Sequence, residues 1–219
     1  MDFRHTNISA NRRFTSYTKV QKSISYIIRN KRIFFSFKEP GVYLNVGCGP
    51  NVDENFCNID YDWWPGVDAC LDVTAGIPLQ DEYAGGIFSE HMLEHVAFDA
   101  ALAILEEFRR VLRKGGVLRI VMPDGELYLD EYQKGSNAKI PYVDEDANRY
   151  PFLTRMISIN RIFRGSGHLF IWDFETLREA LLRSGFEVVE KCSFRKGRDN
   201  KLLLDSDVRA VESLYAEAY

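Results

Sequence analysis

Residues 42–46, Val-Tyr-Leu-Asn-Val, read as a short buried strand that runs straight into the turn Gly47-Cys48-Gly49-Pro50-Asn51. Glycine lacks a side chain and tolerates positive φ, so backbone at such a turn can approach a ligand closely. Alone, the pattern occurs at many tight turns. What constrains this chain is the next apolar run, 56–59, which stops at Asp60, thirteen residues after Gly47. Only ten residues separate Gly49 from Asp60, whereas a parallel crossover normally takes a dozen or more and usually a helix. The first crossover helix is therefore expected to be missing or reduced to a turn.

The remaining elements follow in a regular order. A third apolar run, 69–73, surrounds Asp72, and residues 86–88 form a fourth strand that ends at Ser89. Residues 99–113 carry Ala100, Ala103, Ile104, Phe108, Val111 and Leu112 on one stripe, with Glu106, Glu107, Arg109, Arg110 and Arg113 largely outside it, which predicts an amphipathic helix. Asp99 is its expected N-cap and Gly115-Gly116 its stop. A strand over 117–122 closes at Pro123. Residues 130–166 are polar and irregular, as an insertion or lid would be. A second amphipathic helix, 174–184, opens at Asp173 and closes at Gly185. Two last strands, 186–192 and 213–218, are joined by the polar stretch 196–207 and are expected to pair antiparallel. Strands alternating with helices predict a parallel α/β sheet with helical cover.

At 219 residues the chain suits one domain with a full core. No apolar run reaches the roughly 18 residues of a membrane span, and the N-terminus lacks a signal-peptide pattern. Cys48, Cys57, Cys70 and Cys192 form no CxxC pair; they fit a reducing, cytoplasmic compartment and read as small buried hydrophobes. Net charge is −4, unevenly spread. Residues 1–40 hold nine Lys and Arg against Asp2 and Glu39, a local +7 beside a −11 body. This basic arm reads as helical from the spacing of Phe14, Tyr17, Val20, Ile24 and Ile28. It either folds back on the acidic body, or is solvated, or contacts an anionic partner: a membrane surface to which the protein is peripheral, a phosphate-bearing substrate or nucleic acid.

Acidic groups at consecutive strand ends suggest a nucleoside site, because ligands of such folds bind at the carboxyl ends of parallel strands. Asp60 can accept from both hydroxyls of a ribose, and Asp72 from an exocyclic adenine amine. With no third glycine and no helix end to receive a pyrophosphate, a dinucleotide is disfavoured.

The segments Leu44 to Asn51, Asn58-Ile59-Asp60, Leu71-Asp72-Val73, Ser89-Glu90-His91-Met92-Leu93-Glu94-His95, Phe108 to Val111 and Gly115-Gly116 together resemble a class I S-adenosylmethionine-dependent methyltransferase of the broad type 11 group. Within it, the chain is similar to small bacterial members often linked to surface polysaccharide synthesis. The resemblance covers about Tyr43 to Tyr219. It implies a Rossmann-like α/β fold with seven strands in the order 3-2-1-4-5-7-6 and S-adenosyl-L-methionine as cofactor. It also implies that Val46, Gly47, Cys48 and Gly49 lie along the cofactor, Asp60 with Tyr61 holds the ribose, Asp72 and Val73 flank adenine, and Ser89-Glu90-His91 lies near the methyl group.

Methyl transfer to a hydroxyl requires alignment and removal of a proton. Of four histidines, His5 lies in the arm. His91 and His95 are spaced i,i+4 and share a face if that segment is helical. Their order lacks the His-Glu-x-x-His zinc pattern, and relatives carry similar histidines without metal, so no metal is expected. His95 reads equally as packing. His168, between the lid and the late helix, is the first candidate for a substrate-facing base, followed by His91 and by Asp124, which either contacts substrate or caps the next turn. Trp63 and Trp64 either cover the adenosine, stack on a sugar or pack in the core, as does Trp172.

The sequence thus predicts a methyltransferase acting on a small-molecule or glycan acceptor, free or carrier-linked. The alternatives are a non-catalytic cofactor-binding or scaffold module and a nucleic-acid methyltransferase. The latter is disfavoured, because Ser89-Glu90-His91 stands where amino-directed DNA enzymes carry an Asn/Asp-Pro-Pro-Tyr motif.

Overall fold

The computed structural model describes residues 16–32, 35–37, 39–135 and 154–219. Its centre is a seven-stranded sheet in the order β3-β2-β1-β4-β5-β7-β6. The strands are β1 (Tyr43–Val46), β2 (Phe56–Asp60), β3 (Ala69–Cys70), β4 (Ala84–Glu90), β5 (Leu112–Pro123), β6 (Val189–Lys191) and β7 (Ser213–Ala218). β1 to β5 pair parallel, and β7 runs antiparallel between β5 and β6. The helices are α1 (Ser16–Ile28), α2 (Phe98–Val111), α3 (Gly125–Gln133), α4 (Arg155–Arg164) and α5 (Phe174–Arg183). This is the Rossmann-like methyltransferase architecture expected from the sequence.

No helix joins β1 to β2. Two buried asparagines, register partners on adjacent strands, hold the short link instead. Asn45 Nδ2 donates to Asn51 O (3.0 Å) and to Asn58 Oδ1 (3.1 Å), while Asn58 Nδ2 donates to Asp53 O (2.8 Å) and its Oδ1 accepts from Asp53 N (3.0 Å). Backbone that a helix would have satisfied internally is satisfied by side chains of the sheet, as buried polar groups require.

The two sheet faces are covered differently. On one, Leu44, Val46, Ile59, Ile87, Leu118 and Ile120 pack under α2 and α5 in the main core. On the other, Phe56, Phe88, Val117, Val121 and Tyr215 lie against Leu202, Phe194 and Leu204 of the connection between β6 and β7. Arg119, fully buried in the middle of β5, anchors that connection. It donates to Asp205 (Nε–Oδ1 2.7 Å), to Glu217 (Nη1–Oε1 3.1 Å) and to the carbonyls of Ser193 and Lys196. A buried guanidinium is tolerable only when so fully partnered.

Several expectations need correction. α2 starts at Phe98 with Ala97 as its N-cap, and Asp99 sits inside the first turn, where it faces the positive end of the helix dipole. Its buried face is Ala101, Ile104, Leu105, Phe108 and Val111; the larger side chains set the stripe, leaving Ala100 and Ala103 on its flanks and Leu112 in β5. β3 ends at Cys70, because the Asp72 carboxylate accepts from Thr74 N and turns the chain. β6 is confined to Val189–Lys191 at the sheet edge. Within 130–166 the described residues are largely helical: α3 runs to Gln133, and α4 is capped by Thr154, with Ile162 packed against Tyr128. The rest of that stretch, and residues 1–15 of the arm with His5 and Phe14, lie outside the described residues.

Among the described residues no helix is long and apolar enough to cross a membrane. The described part of the basic arm folds back on the body. Ser25 Oγ accepts from Trp63 N (2.7 Å), and Asn30 Oδ1 accepts from Asp72 N (2.9 Å). The outward face of α1 exposes Val20, Tyr26 and Ile27 beside Lys19 and Lys22.

Candidate functional site

A cleft of about 560 Å³ opens at the carboxyl ends of β1, β2 and β3. Val46, Gly47, Asp60, Tyr61, Asp72 and Val73 line it, joined by Met92, His91 and His95 from the turn after β4. Gly47 has φ +76°, and a Cβ there would stand 2.5 Å from Met92 Cγ, so both backbone conformation and space demand glycine. Asp60 ties the loop to β2: its Oδ2 accepts from Gly49 N (2.7 Å) and its Oδ1 from Asp62 N (2.8 Å). Burial pushes the Asp60 carboxyl above the usual range, and these two N–H groups oppose that rise. A carboxylate has about four acceptor positions, so two remain for a ligand.

The back wall is held by Arg29, in the turn just after α1, a contact that the sequence did not announce. Arg29 Nε donates to Tyr61 O (2.8 Å), its Nη2 pairs with Asp62 Oδ1 at 3.1 Å, and its guanidinium lies 3.5 Å from the centre of the Tyr61 ring. Tyr61, rather than Trp63 or Trp64, is the aromatic lining the cleft. Trp172 is buried in a cluster with Phe98 and Phe170.

Cys48 and Glu90 line a second cavity of about 320 Å³, roofed by Leu204 to Asp207 and Arg195. Glu90 Oε1 accepts from Ser206 N (2.9 Å), and burial pushes its carboxyl up. Ser89 is buried at the end of β4 and Gly49 contributes its N–H to Asp60; neither lines the first cleft. Cys48 is buried, and desolvation followed by the nearby Asp60 charge pushes its thiol up, so it stays protonated.

The catalytic candidates separate. Asp124 caps α3, accepting from Glu126 N (3.0 Å) and Leu127 N (3.4 Å), and is outside the cleft. His91 and His168 meet with His95, Arg161 and Arg209 around a third cavity of about 100 Å³. This cavity shares His91 and His95 with the large cleft, so the two are neighbours. His91 has φ +50°, unusual for a non-glycine residue and a mark of local constraint. Its Nε2 lies 2.9 Å from Ser213 Oγ and its Nδ1 3.2 Å from Glu94 Oε1. His168 Nδ1 lies 2.6 Å from the Ile162 carbonyl, which can only accept, so Nδ1 carries the proton and Nε2 is the open atom. Burial disfavours the Glu94 anion, yet the imidazoles of His91 and His95 outweigh it and hold the carboxyl below its ordinary value. Burial pushes His95 down, against the pull of Glu94.

Among known proteins, the family model described as a methyltransferase domain matches residues 20–191. No curated protein matches the chain. Solved structures of S-adenosylmethionine-dependent methyltransferases resemble it at low identity. That from Archaeoglobus fulgidus is 15% identical, with 93% of this chain and 94% of that one covered at a TM-score of 0.49. That from Mesorhizobium loti is 14% identical, with 93% and 97% covered at 0.46, and that from Aquifex aeolicus is 14% identical, with 90% and 97% covered at 0.46. The family match, spanning most of the chain, carries the assignment: the protein belongs to the methyltransferase-domain family and is a class I S-adenosylmethionine-dependent methyltransferase.

Proposed function

We propose that the protein transfers a methyl group to a hydroxyl-bearing small molecule or saccharide, free or carrier-linked. The observation carrying this reading is the adjacency of the 560 Å³ cleft and the histidine-lined cavity across His91 and His95. The residues present fit the cofactor: the cleft lies within the roughly 300–1,000 Å³ of small-molecule sites, and at Gly47 a Cβ would press on Met92, which lines the same cleft. Bound S-adenosylmethionine supplies an electrophilic methyl on a sulfonium.

The chain's own residues do the rest. Asp60 accepts from the ribose hydroxyls with its two remaining acceptor positions, and Asp72, Val73 and Tyr61 border the adenine. Val46 and Gly47 shape the floor, while Cys48, Gly49, Ser89 and Glu90 support the methionine end. His168 serves the acceptor's reacting hydroxyl in this reading, which is supported by the engagement of His91 with Ser213 and Glu94 and of Asp124 with α3. A reducing cytoplasmic setting suits the four free cysteines. The apolar and basic outward face of α1 suits peripheral contact with an anionic membrane. If so, Lys19→Glu with Lys22→Glu abolishes co-sedimentation with phosphatidylglycerol vesicles; unchanged binding contradicts that contact.

Methyl-labelled S-adenosylmethionine, offered with a panel of sugars and lipid-linked sugars, tests the activity. Label is expected in at least one acceptor and is lost in His168→Gln with cofactor affinity kept. Cofactor binding without transfer to any hydroxyl acceptor would replace this reading with that of a non-catalytic module.

A further inference from the structure

The turn after β4 buries an acid whose near partners, among the described residues, are imidazoles. Glu94 is fully buried, and among the described residues neither carboxylate oxygen has a well-aligned hydrogen bond; its nearest partner is His91 Nδ1 at 3.2 Å. Burying a carboxylate is costly unless it is paired or coordinates a metal. Around it stand His95, whose Nε2 is 4.0 Å from Glu94 Oε1, and His168, whose ring meets that of His95 edge-on at 4.9 Å. Ligand atoms of Glu94, His95 and His168 all lie within 4.8 Å of one another.

We propose that Glu94, His95 and His168 bind one divalent transition-metal ion, of the zinc, cobalt or manganese class, at the acceptor end of the site. Two imidazoles and a carboxylate suit such ions better than magnesium, which prefers an octahedron of oxygens. The surroundings are those of a held ligand set. The Ile162 carbonyl fixes His168 with its proton on Nδ1 and leaves Nε2 as the donor, the outer support that metal-binding histidines commonly have. The main chain locks the two halves together, since Leu169 N donates to Glu94 O at 2.7 Å. His91, braced by Ser213, stays outside the set and orients Glu94. Three protein ligands leave positions open for an acceptor oxygen, as in catalytic rather than structural zinc sites.

The role of this ion rests on the proposed methyl transfer to a hydroxyl; the site itself does not. There the ion makes the acceptor hydroxyl more acidic. The hydroxyl proton leaves to water and an oxygen lone pair forms the O–CH₃ bond. The S–CH₃ bond breaks with its electrons kept on sulfur, giving neutral S-adenosylhomocysteine. His168 then acts as a ligand, and no side chain need carry the proton.

The full chain, stripped with a chelator, is titrated with Co2+ while visible absorption and heat are recorded. One saturable Co2+ per chain with d–d bands, displaced by Zn2+, is expected. Glu94→Gln and His168→Gln, neither of which lines the cofactor cleft, should each weaken binding at least tenfold while S-adenosylmethionine still binds, which shows that they fold. Absence of saturable binding, or equal binding in wild type and both variants, overturns the site. Co2+ binding without methyl transfer would leave the site standing and count against the proposed reaction alone.

Discussion

The backbone N–H of Gly49 donates to the Asp60 carboxylate across 2.7 Å, joining the glycine turn to the end of β2 without an intervening helix. The acid that we propose holds the ribose thus also holds the glycine turn, so on that reading loop order and ligand affinity depend on one side chain.

That double use makes cofactor affinity sensitive to acid. Burial raises the Asp60 pKa in the folded protein, so its proton is taken up at higher pH than by an ordinary aspartate, near 3.9. Only the carboxylate accepts from both hydroxyls. S-adenosylmethionine affinity should therefore fall as pH drops through the raised value, beginning above the ordinary range. Asp60→Asn should bind roughly 10–100-fold more weakly at neutral pH, the worth of hydrogen bonds to a charged group, and show no such step. Calorimetry from pH 7 downward checks this; a wild-type affinity flat to pH 4 contradicts it.

The two glycines of the turn should differ in cost. At Gly47 a Cβ meets Met92 at 2.5 Å, whereas at Gly49, with φ +52°, nothing lies within 4 Å. Gly47→Ala adds a steric clash to the left-handed penalty and should lose about 2–4 kcal/mol, Gly49→Ala only about 1 kcal/mol. Denaturant unfolding of both variants reads the difference, and equal losses would argue against the packing of Met92 on the turn.

Removing the Arg29 latch after α1 should harm binding more than folding. Arg29→Met loses the bond to Tyr61 O, the ion pair with Asp62 and the stacking on Tyr61, all at the edge of the cleft. Cofactor affinity is expected to drop about 3–10-fold, the worth of one hydrogen bond plus an exposed cation–π contact. An unchanged affinity would separate Arg29 from the site.

Arg119 should behave in the opposite way. Arg119→Met leaves Asp205 and Glu217 buried with backbone N–H partners but without their cation, which costs about 3–5 kcal/mol. Thermal unfolding should fall by roughly 6–20 °C for a domain of this size. A shift under a degree or two would mean that solvent reaches the pair.

The topology and the cleft at the ends of β1 to β3 were legible because they rest on local signals: a strand running into Gly47-x-Gly49, acids at successive strand ends, and a link to Asp60 too short for a helix. The cover of the second face was not legible. Arg119 sits in an apolar run whose partners lie 86 and 98 residues away, and no periodicity announces such a pairing. An arginine in the middle of a buried strand was the available clue. Likewise Glu94, His95 and His168 were visible as residue types, but the contact of His168 with the turn comes from the Leu169–Glu94 backbone bond, which spacing does not encode. Arg29 reads in the sequence as one charge of an arm of open direction.

The central claim is that the cleft at Gly47 and Asp60 holds S-adenosylmethionine, and calorimetry with parallel thermal unfolding tests it most directly. One binding event per chain is predicted. At a hundredfold excess over Kd it should add about 2.7 kcal/mol of stability, raising Tm by roughly 5–10 °C, with both effects strongly reduced in Asp60→Asn. No heat and no shift in Tm with wild-type protein would contradict the account.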